Sequence, residues 1–183
     1  MNTVITTQEV QQFAIDPSHS HVEFSVRHLM ISKVRGRFAA VKGTIGLAPG
    51  SDLPQNVAVE IDPASIDTRE AQRDAHLKSP DFFDVERFST IAYSSTRVEG
   101  TPDSFKIYGD LTMHGVTRPL VLNGTLEGRA RDPWGNDRVA FSAEAKLSRK
   151  DFGLTWNQAL ETGGVAVGDE IRIEINVEAI KPQ

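Results

Sequence analysis

The chain has 183 residues, 25 of them acidic and 20 basic, which gives a formal net charge of −5 at pH 7. It contains no cysteine, which excludes a disulfide framework and any metal site or nucleophile built on cysteine. The lysines and arginines are scattered, so the sequence predicts no basic patch of the kind that nucleic acid or an anionic membrane surface requires. A chain of this length is typical of one domain that buries most of its apolar surface.

The first twelve residues, MNTVITTQEVQQ, read as a flexible polar tail without the basic start and apolar run of a secretory signal. No later stretch has the roughly 18 consecutive apolar residues of a membrane-spanning helix. We therefore expect a soluble, cytoplasmic protein without stable membrane insertion, or a periplasmic or secreted one if a signal was removed. A single domain then covers residues 13–181.

Apolar and polar residues alternate along most of the chain, which predicts β-strands that are buried on one face. The stretch HVEFSVRH places Val22, Phe24 and Val26 on one face of a strand. The clearest example is EIRIEINVE near the C-terminus, where Ile173 and Ile175 belong to the apolar face. Clusters of Gly, Pro, Asn and Asp separate these runs and predict tight turns.

The one predicted helix is DTREAQRDAHL, residues 67–77, with Asp67 at its start and Glu70 three residues later in a capping-box pattern. Many one-sided strands with a single short helix predict an all-β protein. Its antiparallel sheet must cover its own apolar face, as a barrel or as a sandwich. Closure into a barrel also removes exposed strand edges.

Several positions on the predicted inward faces are small. By strand parity they are Gly36, Ala40, Gly109, Gly124, Gly128, Ala143 and Ala145. Either the glycines let strands coil at barrel corners, or the small residues leave an apolar cavity for a hydrocarbon chain. Burying one CH₂ contributes roughly 0.8 kcal/mol and association costs roughly 4–15 kcal/mol, so the second interpretation predicts a ligand of about twenty buried carbons.

Four ordered blocks of the chain resemble the signature blocks of one protein family. They are IDPSHSHVEFSVRHLMISKVRGRF, SIDTREAQRDAHLKSPDFFD, GDLTMHGVTRPLVL and SRKDFGLTWN…VGDEIRIEINVEA. On these residues, from about Phe13 to Ile180, the chain is identified as a member of the YceI-like family. The resemblance implies a lipocalin-like antiparallel β-barrel of about eight strands that binds a polyisoprenoid or related long-chain lipid, often as a homodimer. It implies no catalytic reaction and no cofactor.

We expect the lipid to contact the inward residues of the barrel. The predicted cavity wall consists of Val22, Phe24, Val26, His28, Phe38, Phe105, Ile107, Met113, Phe141, Ala143, Ile173 and Ile175. His28 ends the apolar row of its strand, so we place it near a barrel mouth. There it is either a structural hydrogen-bonding residue or a contact to the polar head of the ligand.

A metal site is the first alternative to lipid binding. His19, His21 and Glu23 share one strand face, and residues two apart can converge on one ion. Residues four apart in a strand are separated by roughly 13 Å, so Glu23 does not reach the same ion unless the strand bends. We therefore predict no metal site.

Catalysis is the second alternative. Asp74, His76 and Ser79 are the residue types of a catalytic triad, but their proximity in sequence establishes neither a nucleophile–base hydrogen bond nor an oxyanion site. We predict no catalytic residues and a protein that carries or sequesters a long-chain amphiphilic lipid. An enzyme of isoprenoid-quinone or lipid metabolism, with histidines near the channel, and an interaction module that uses the barrel exterior remain open.

Overall fold

The structure is a computed structural model that describes residues 9–182. Within this range the regular elements are eleven strands, one α-helix and two 3-10 turns. The strands are β1 (Gln11–Ile15), β2 (His21–His28), β3 (Ser32–Phe38), β4 (Val41–Leu47), β5 (Pro54–Ile61), β6 (Ile66–Asp67), β7 (Ile91–Thr101), β8 (Ser104–Met113), β9 (Val116–Arg131), β10 (Asp137–Ser148) and β11 (Val167–Ile180). The helix α1 spans Ala71–Lys78, and the 3-10 turns lie at Pro63–Ser65 and Arg149–Phe152.

The strands close into an antiparallel barrel. Closure occurs at β11, which pairs with β10 along one edge and with both β2 and β1 along the other. β1 and β2 are therefore two parts of one interrupted strand, and β3 and β4, which pair with them, are two parts of the next. β5 and β6, which pair with β4 and β3, form the third line in the same way, so the sheet has eight strand lines, which confirms the predicted lipocalin-like barrel.

β8 shows how the sequence pattern forms the barrel wall. Phe105, Ile107 and Leu111 are buried, whereas Lys106 and Asp110 in the same strand are exposed. Burial of the inward face contributes about 25 cal/mol for each Å² of apolar surface removed from water. A slip of one residue would move the apolar set to the solvent face, so the pattern also fixes the register with the neighbouring strands.

The two ends of the barrel differ. At one end, Phe13, Leu47 and Val139 are almost fully buried and fill the interior. At the other end, which we call the α1 end, the helix and the segment after it bring Leu77 and Phe82 to the interior. No helix in the described part of the chain has the length and apolar character needed to cross a membrane.

The helix begins four residues later than predicted. Its N-cap is Glu70, whose carboxylate accepts hydrogen bonds from the amides of Gln72 and Arg73. Asp67 belongs to β6 and accepts a hydrogen bond from the Arg69 amide. The prediction of a helix start at Asp67 is wrong because pairing between β6 and β3 holds this residue in an extended conformation.

The first strand begins earlier than the predicted tail allows. Gln11 and Gln12 pair with Leu47 and Gly46 in β4, so these two residues belong to the barrel. Of the rest of the predicted tail, residues 1–8 lie outside the described residues.

Candidate functional site

A cavity of about 200 Å³ lies inside the barrel. Its wall consists mainly of aliphatic and aromatic side chains that the strands direct inward. Eleven of the predicted wall residues line it: Val22, Phe24, Val26, Phe38, Phe105, Ile107, Met113, Phe141, Ala143, Ile173 and Ile175. Their contact with a ligand stays a prediction.

Other strands contribute wall residues that the sequence-based site did not include. Val57, Val59 and Ile61 of β5, Tyr93 of β7 and Leu122 of β9 also line the cavity. Apolar residues alternate in NVAVEID, a pattern that indicates that Val57, Val59 and Ile61 share the inward face of β5. Alternation alone does not show which inward residues border open space, because that depends on how far the opposite wall fills the interior.

The α1 end of the cavity is bordered by an aromatic cluster. Phe82 lines the cavity, and its ring centroid is 5.0 Å from that of His76 and 5.3 Å from that of Trp156. The His76 and Trp156 rings are themselves 4.8 Å apart and nearly perpendicular. These contacts connect α1 to the segment before β11, so the cluster covers this end of the cavity.

Arg149 is a buried cation on the apolar wall, and the sequence analysis did not identify it. It is 3% exposed, and its guanidinium donates hydrogen bonds to the carbonyls of Gly168, Leu154 and Trp156 at 2.8–2.9 Å. Burial lowers the pKa of Arg149, since the charged form loses its hydration. Its nearest carboxylate oxygen, on Asp169, is 3.6 Å from Nη2. The side chain thus joins the loop that contains Leu154 and Trp156 to the start of β11 at the α1 end.

Tyr93 is the other titratable residue on the wall among the described residues. Its single hydroxyl proton is shared between the carbonyls of Ile107, at 3.0 Å, and Leu120, at 3.1 Å. Burial raises the pKa of Tyr93 well above its ordinary value, and the nearby Asp110 charge adds to this effect. The phenol therefore stays protonated and fixed to the neighbouring strands.

Gly36, Gly109 and Gly124 do not create the cavity, because neighbouring side chains fill the space above them. A Cβ on Gly124 would overlap the Phe105 ring, and one on Gly36 would overlap the Phe24 ring, so each glycine makes room for an aromatic side chain. Ala40, which parity placed inward, is exposed where β3 gives way to β4. Of the small residues predicted to leave open space, Ala143 lines the cavity.

His28 does not line the cavity, so its placement on the wall is wrong. It is half-buried at the end of β2, where it pairs with Ser32 of β3 and with Val167 of β11. The wall in this region is formed by Val26 and Val167. β2 and β3 extend past this part of the wall as a hairpin. His28 therefore occupies an inward position of the alternating pattern, but its side chain does not reach the enclosed cavity.

The candidate triad is not assembled. His76 Nε2 lies 2.8 Å from Asp81 Oδ2, and the Ser79 hydroxyl donates to the His76 carbonyl rather than to its ring. Asp74 accepts hydrogen bonds from the amide and hydroxyl of Thr68, which fixes the start of the helical segment. These three residues therefore have structural partners and no shared nucleophilic site.

The three candidate metal ligands do not form one group: His21 Nε2 lies 3.9 Å from Glu23 Oε1, whereas His19 Nδ1 lies 2.9 Å from Asp16 Oδ2. Among the described residues, Asp16, His19 and Glu178 bring potential ligand atoms within 4.8 Å of one another. Arg138 donates hydrogen bonds to both carboxylates, so a cation would have to displace its guanidinium. His21, the second predicted candidate, is not part of this group.

The cavity volume limits what fits without rearrangement. At about 200 Å³ it exceeds the roughly 150 Å³ of an engineered cavity that binds benzene, and it is below the roughly 300–1,000 Å³ of pockets for drug-sized ligands. A chain of about twenty carbons therefore requires side chains such as Phe82 and Leu77 to move, or part of the ligand to extend past the α1 end.

Comparison with known proteins places the barrel in a family. A model of the YceI-like domain matches residues 13–179. The chain is 35% identical over 163 residues to Protein YceI of Salmonella newport, covering 89% of this chain and 82% of that protein. The crystal structure of the Campylobacter jejuni YceI protein has a TM-score of 0.73 and 30% identity, covering 86% and 90% of the two chains.

A more distant structure has the same fold. It is a polyisoprenoid-binding domain from Saccharophagus degradans implicated in plant cell wall breakdown, with a TM-score of 0.68 and 13% identity. The superposition covers 95% of this chain and all of that domain. At this identity the similarity shows only a shared fold. The domain match and the closer relatives show which family the chain belongs to. This chain belongs to the YceI-like family.

Proposed function

We propose that the protein carries or sequesters a long-chain amphiphilic lipid, a polyisoprenoid or a fatty-acid-like chain, without catalysing a reaction on it. The observation that carries this proposal is the apolar cavity inside a closed barrel. A structural neighbour with the same fold, described as a polyisoprenoid-binding domain, supports the choice of ligand class. The wall offers dispersion contacts and apolar burial along a chain, which favours a hydrocarbon over a polar metabolite.

The non-catalytic part of the proposal rests on the two titratable wall residues. Tyr93 and Arg149 already donate hydrogen bonds to backbone carbonyls, and burial holds Tyr93 in its protonated form. A general acid or base needs a proton that it can exchange near the operating pH. Neither side chain meets this requirement, so the wall favours binding over chemistry.

An enzyme remains the second candidate because of one observation at the α1 end. The His76 ring is paired with Asp81 and packs on Phe82, which borders the cavity. A catalytic role predicts that His76→Ala abolishes turnover of a prenyl lipid or quinone. A carrier predicts a change in affinity or exchange rate and no product from such lipids in either protein.

The direct test is to purify the full chain, extract it with organic solvent and record native mass spectra before and after adding long-chain prenols of graded length. We expect a co-purified lipid or uptake of one prenol per barrel, with affinity rising with chain length because each buried CH₂ contributes about 0.8 kcal/mol. Repeated recovery of empty protein that takes up none of the added lipids would contradict the proposal.

The assembly state and the location of the protein stay predictions. Light scattering on the purified chain tests the homodimer, and fractionation of the source cells tests the cytoplasmic location.

A further inference from the structure

An exposed apolar patch lies outside the cavity at the α1 end. Leu29, Met30 and Ile31 form the tip of the β2–β3 hairpin, where Met30 is 54% and Ile31 83% exposed. Val165, in the segment before β11, is also exposed, and its neighbour Gly164 lies beside Met30. We call Leu29, Met30, Ile31 and Val165 the apolar tip. Its side chains add little to the core, and clustered exposure of this kind marks interaction sites.

The hairpin turn has a backbone that its residues disfavour. Leu29 and Met30 have φ values of +52° and +64°, and the Ile31 amide donates to the His28 carbonyl at 3.2 Å. This is the φ pattern of a type I′ turn, in which Asn-Gly is preferred because both central residues are left-handed. Bulky residues in this conformation strain the backbone, and here their side chains are also exposed. The stability of the fold therefore does not explain why Leu29 and Met30 occupy the turn.

Unpaired cations flank the apolar tip. No carboxylate of the described residues forms an ion pair with Arg27, Lys33 or Arg35. The sequence has no acidic residue between Glu23 and Asp52. The hairpin is thus locally basic in a chain whose net charge is −5, which departs from the expectation that the scattered cations form no basic patch.

The acidic residues that share a surface groove with Arg27 and Lys33 have other partners. Asp169 and Glu170 line a surface groove with Arg27 and Lys33. Asp169 pairs with Lys150 at 2.9 Å and lies near Arg149, and Glu170 pairs with Lys146 at 3.3 Å. The charges of Arg27 and Lys33 are therefore available to an external anion.

We propose that the apolar tip and its flanking cations dock on an anionic lipid bilayer. Apolar side chains that enter the acyl boundary beside cations that meet anionic headgroups are the two elements of interfacial binding. The negative charge of the whole chain opposes adsorption through other surfaces, so the α1 end faces the bilayer. Passage of lipid between bilayer and cavity would rest on the proposed function, whereas docking does not.

The test is flotation of the full chain with vesicles of phosphatidylcholine alone and of phosphatidylcholine mixed with phosphatidylglycerol. We expect binding to the mixed vesicles to be roughly tenfold to hundredfold stronger and to weaken with salt. The double variant Leu29→Asn/Met30→Gly should lose roughly tenfold or more in vesicle binding. It installs the favoured turn residues, so unfolding does not explain the loss.

Trp134→Ala is the matched control, because Trp134 is 78% exposed on the β9–β10 hairpin at the opposite end. This variant should bind vesicles like the unmodified protein. The proposal is overturned if the unmodified protein does not bind the mixed vesicles, or if Trp134→Ala reduces binding and the hairpin variant does not. It is also overturned if light scattering shows that the hairpin variant converts a dimer to a monomer and neither form binds vesicles. Prenol uptake by the hairpin variant, measured separately, tests the cavity.

Discussion

The ring of Phe105 in β8 lies over Gly124, its direct partner in β9, so closely that a Cβ on the glycine would come within 3.0 Å of three ring carbons. Gly124→Ala should therefore displace the ring and destabilise the protein by about 1–3 kcal/mol, the usual cost of overpacking a core. Urea unfolding measures the change in the free energy of unfolding.

The double variant Gly124→Ala/Phe105→Leu separates ring overlap from other effects of the alanine. The smaller leucine leaves room for the new methyl group, so Gly124→Ala should cost less in the Phe105→Leu background than in the original protein. Equal costs in both backgrounds would show that the ring does not occupy the space above Gly124.

Phe105 and Gly124 also show which part of the candidate site could be predicted from the sequence. Alternation placed Phe105, Ile107 and Phe141 on the inward face, because the direction of a side chain in a strand depends on parity alone. It did not show that aromatic rings fill the space above the glycines, because that depends on residues of the neighbouring strand. The alternating pattern predicted that His28 also faces inward, but the enclosed wall of the cavity ends before His28.

Arg149 illustrates a second limit. Its donors are satisfied by carbonyls of Leu154 and Trp156, which lie in a loop without sequence periodicity, and of Gly168 at the start of β11. A charged residue at the end of a strand is normally expected to be exposed. Arg149 is buried because the loop and the start of β11 cross the α1 end around it. The local sequence does not specify how these segments cross.

Tyr93→Phe removes a hydroxyl that donates to the carbonyls of Ile107 and Leu120. The variant should be less stable by about 0.5–1.5 kcal/mol at neutral pH, the usual net contribution of a hydrogen bond. Because burial raises the pKa of folded Tyr93, its contribution to stability is present below the unfolded pKa of about 10 and is lost as pH rises above it. Urea unfolding across this range should show a smaller alkaline decline in Tyr93→Phe, and identical pH profiles would contradict this account.

For Asp132 we expect the opposite pH dependence, a loss of stability in acid. Burial raises its pKa, but hydrogen bonds from Asn136, Arg138 and the Trp134 amide outweigh this effect and hold the pKa well below its ordinary value. A lowered folded pKa means that its stabilisation is present above the unfolded value of about 3.9 and is lost as pH falls below it. Asp132→Asn should lower the urea midpoint at neutral pH and flatten the acid decline. Arg131→Gln on the same hairpin, at a more exposed pair, is the control and should change neither.

Ala143→Leu should separate stability from binding. The leucine would occupy part of the cavity, and filling it should stabilise the empty protein by about 1–2 kcal/mol. The same side chain should obstruct a bound chain, so prenol uptake should fall roughly tenfold or more. Ala58→Leu adds the same bulk to the exposed face of β5 and should leave uptake unchanged. Normal uptake by Ala143→Leu would place the ligand elsewhere.

Trp156→Ala should accelerate ligand exchange through the α1 end. The Trp156 ring packs on His76 and Phe82, which hold α1 and the following segment over the cavity, and each aromatic contact contributes about 0.5–1.5 kcal/mol. If the covering segment must separate before the ligand leaves, loss of both contacts should raise the release rate roughly fivefold to hundredfold. The measurement is transfer of a bound fluorescent prenol to acceptor vesicles, with vesicle concentration varied so that release and docking are resolved. Trp134→Ala, at the opposite end, should transfer at the original rate. An unchanged rate in Trp156→Ala would mean that the lipid leaves by another route, because removing a ring from the cover must speed any exit that passes beneath it.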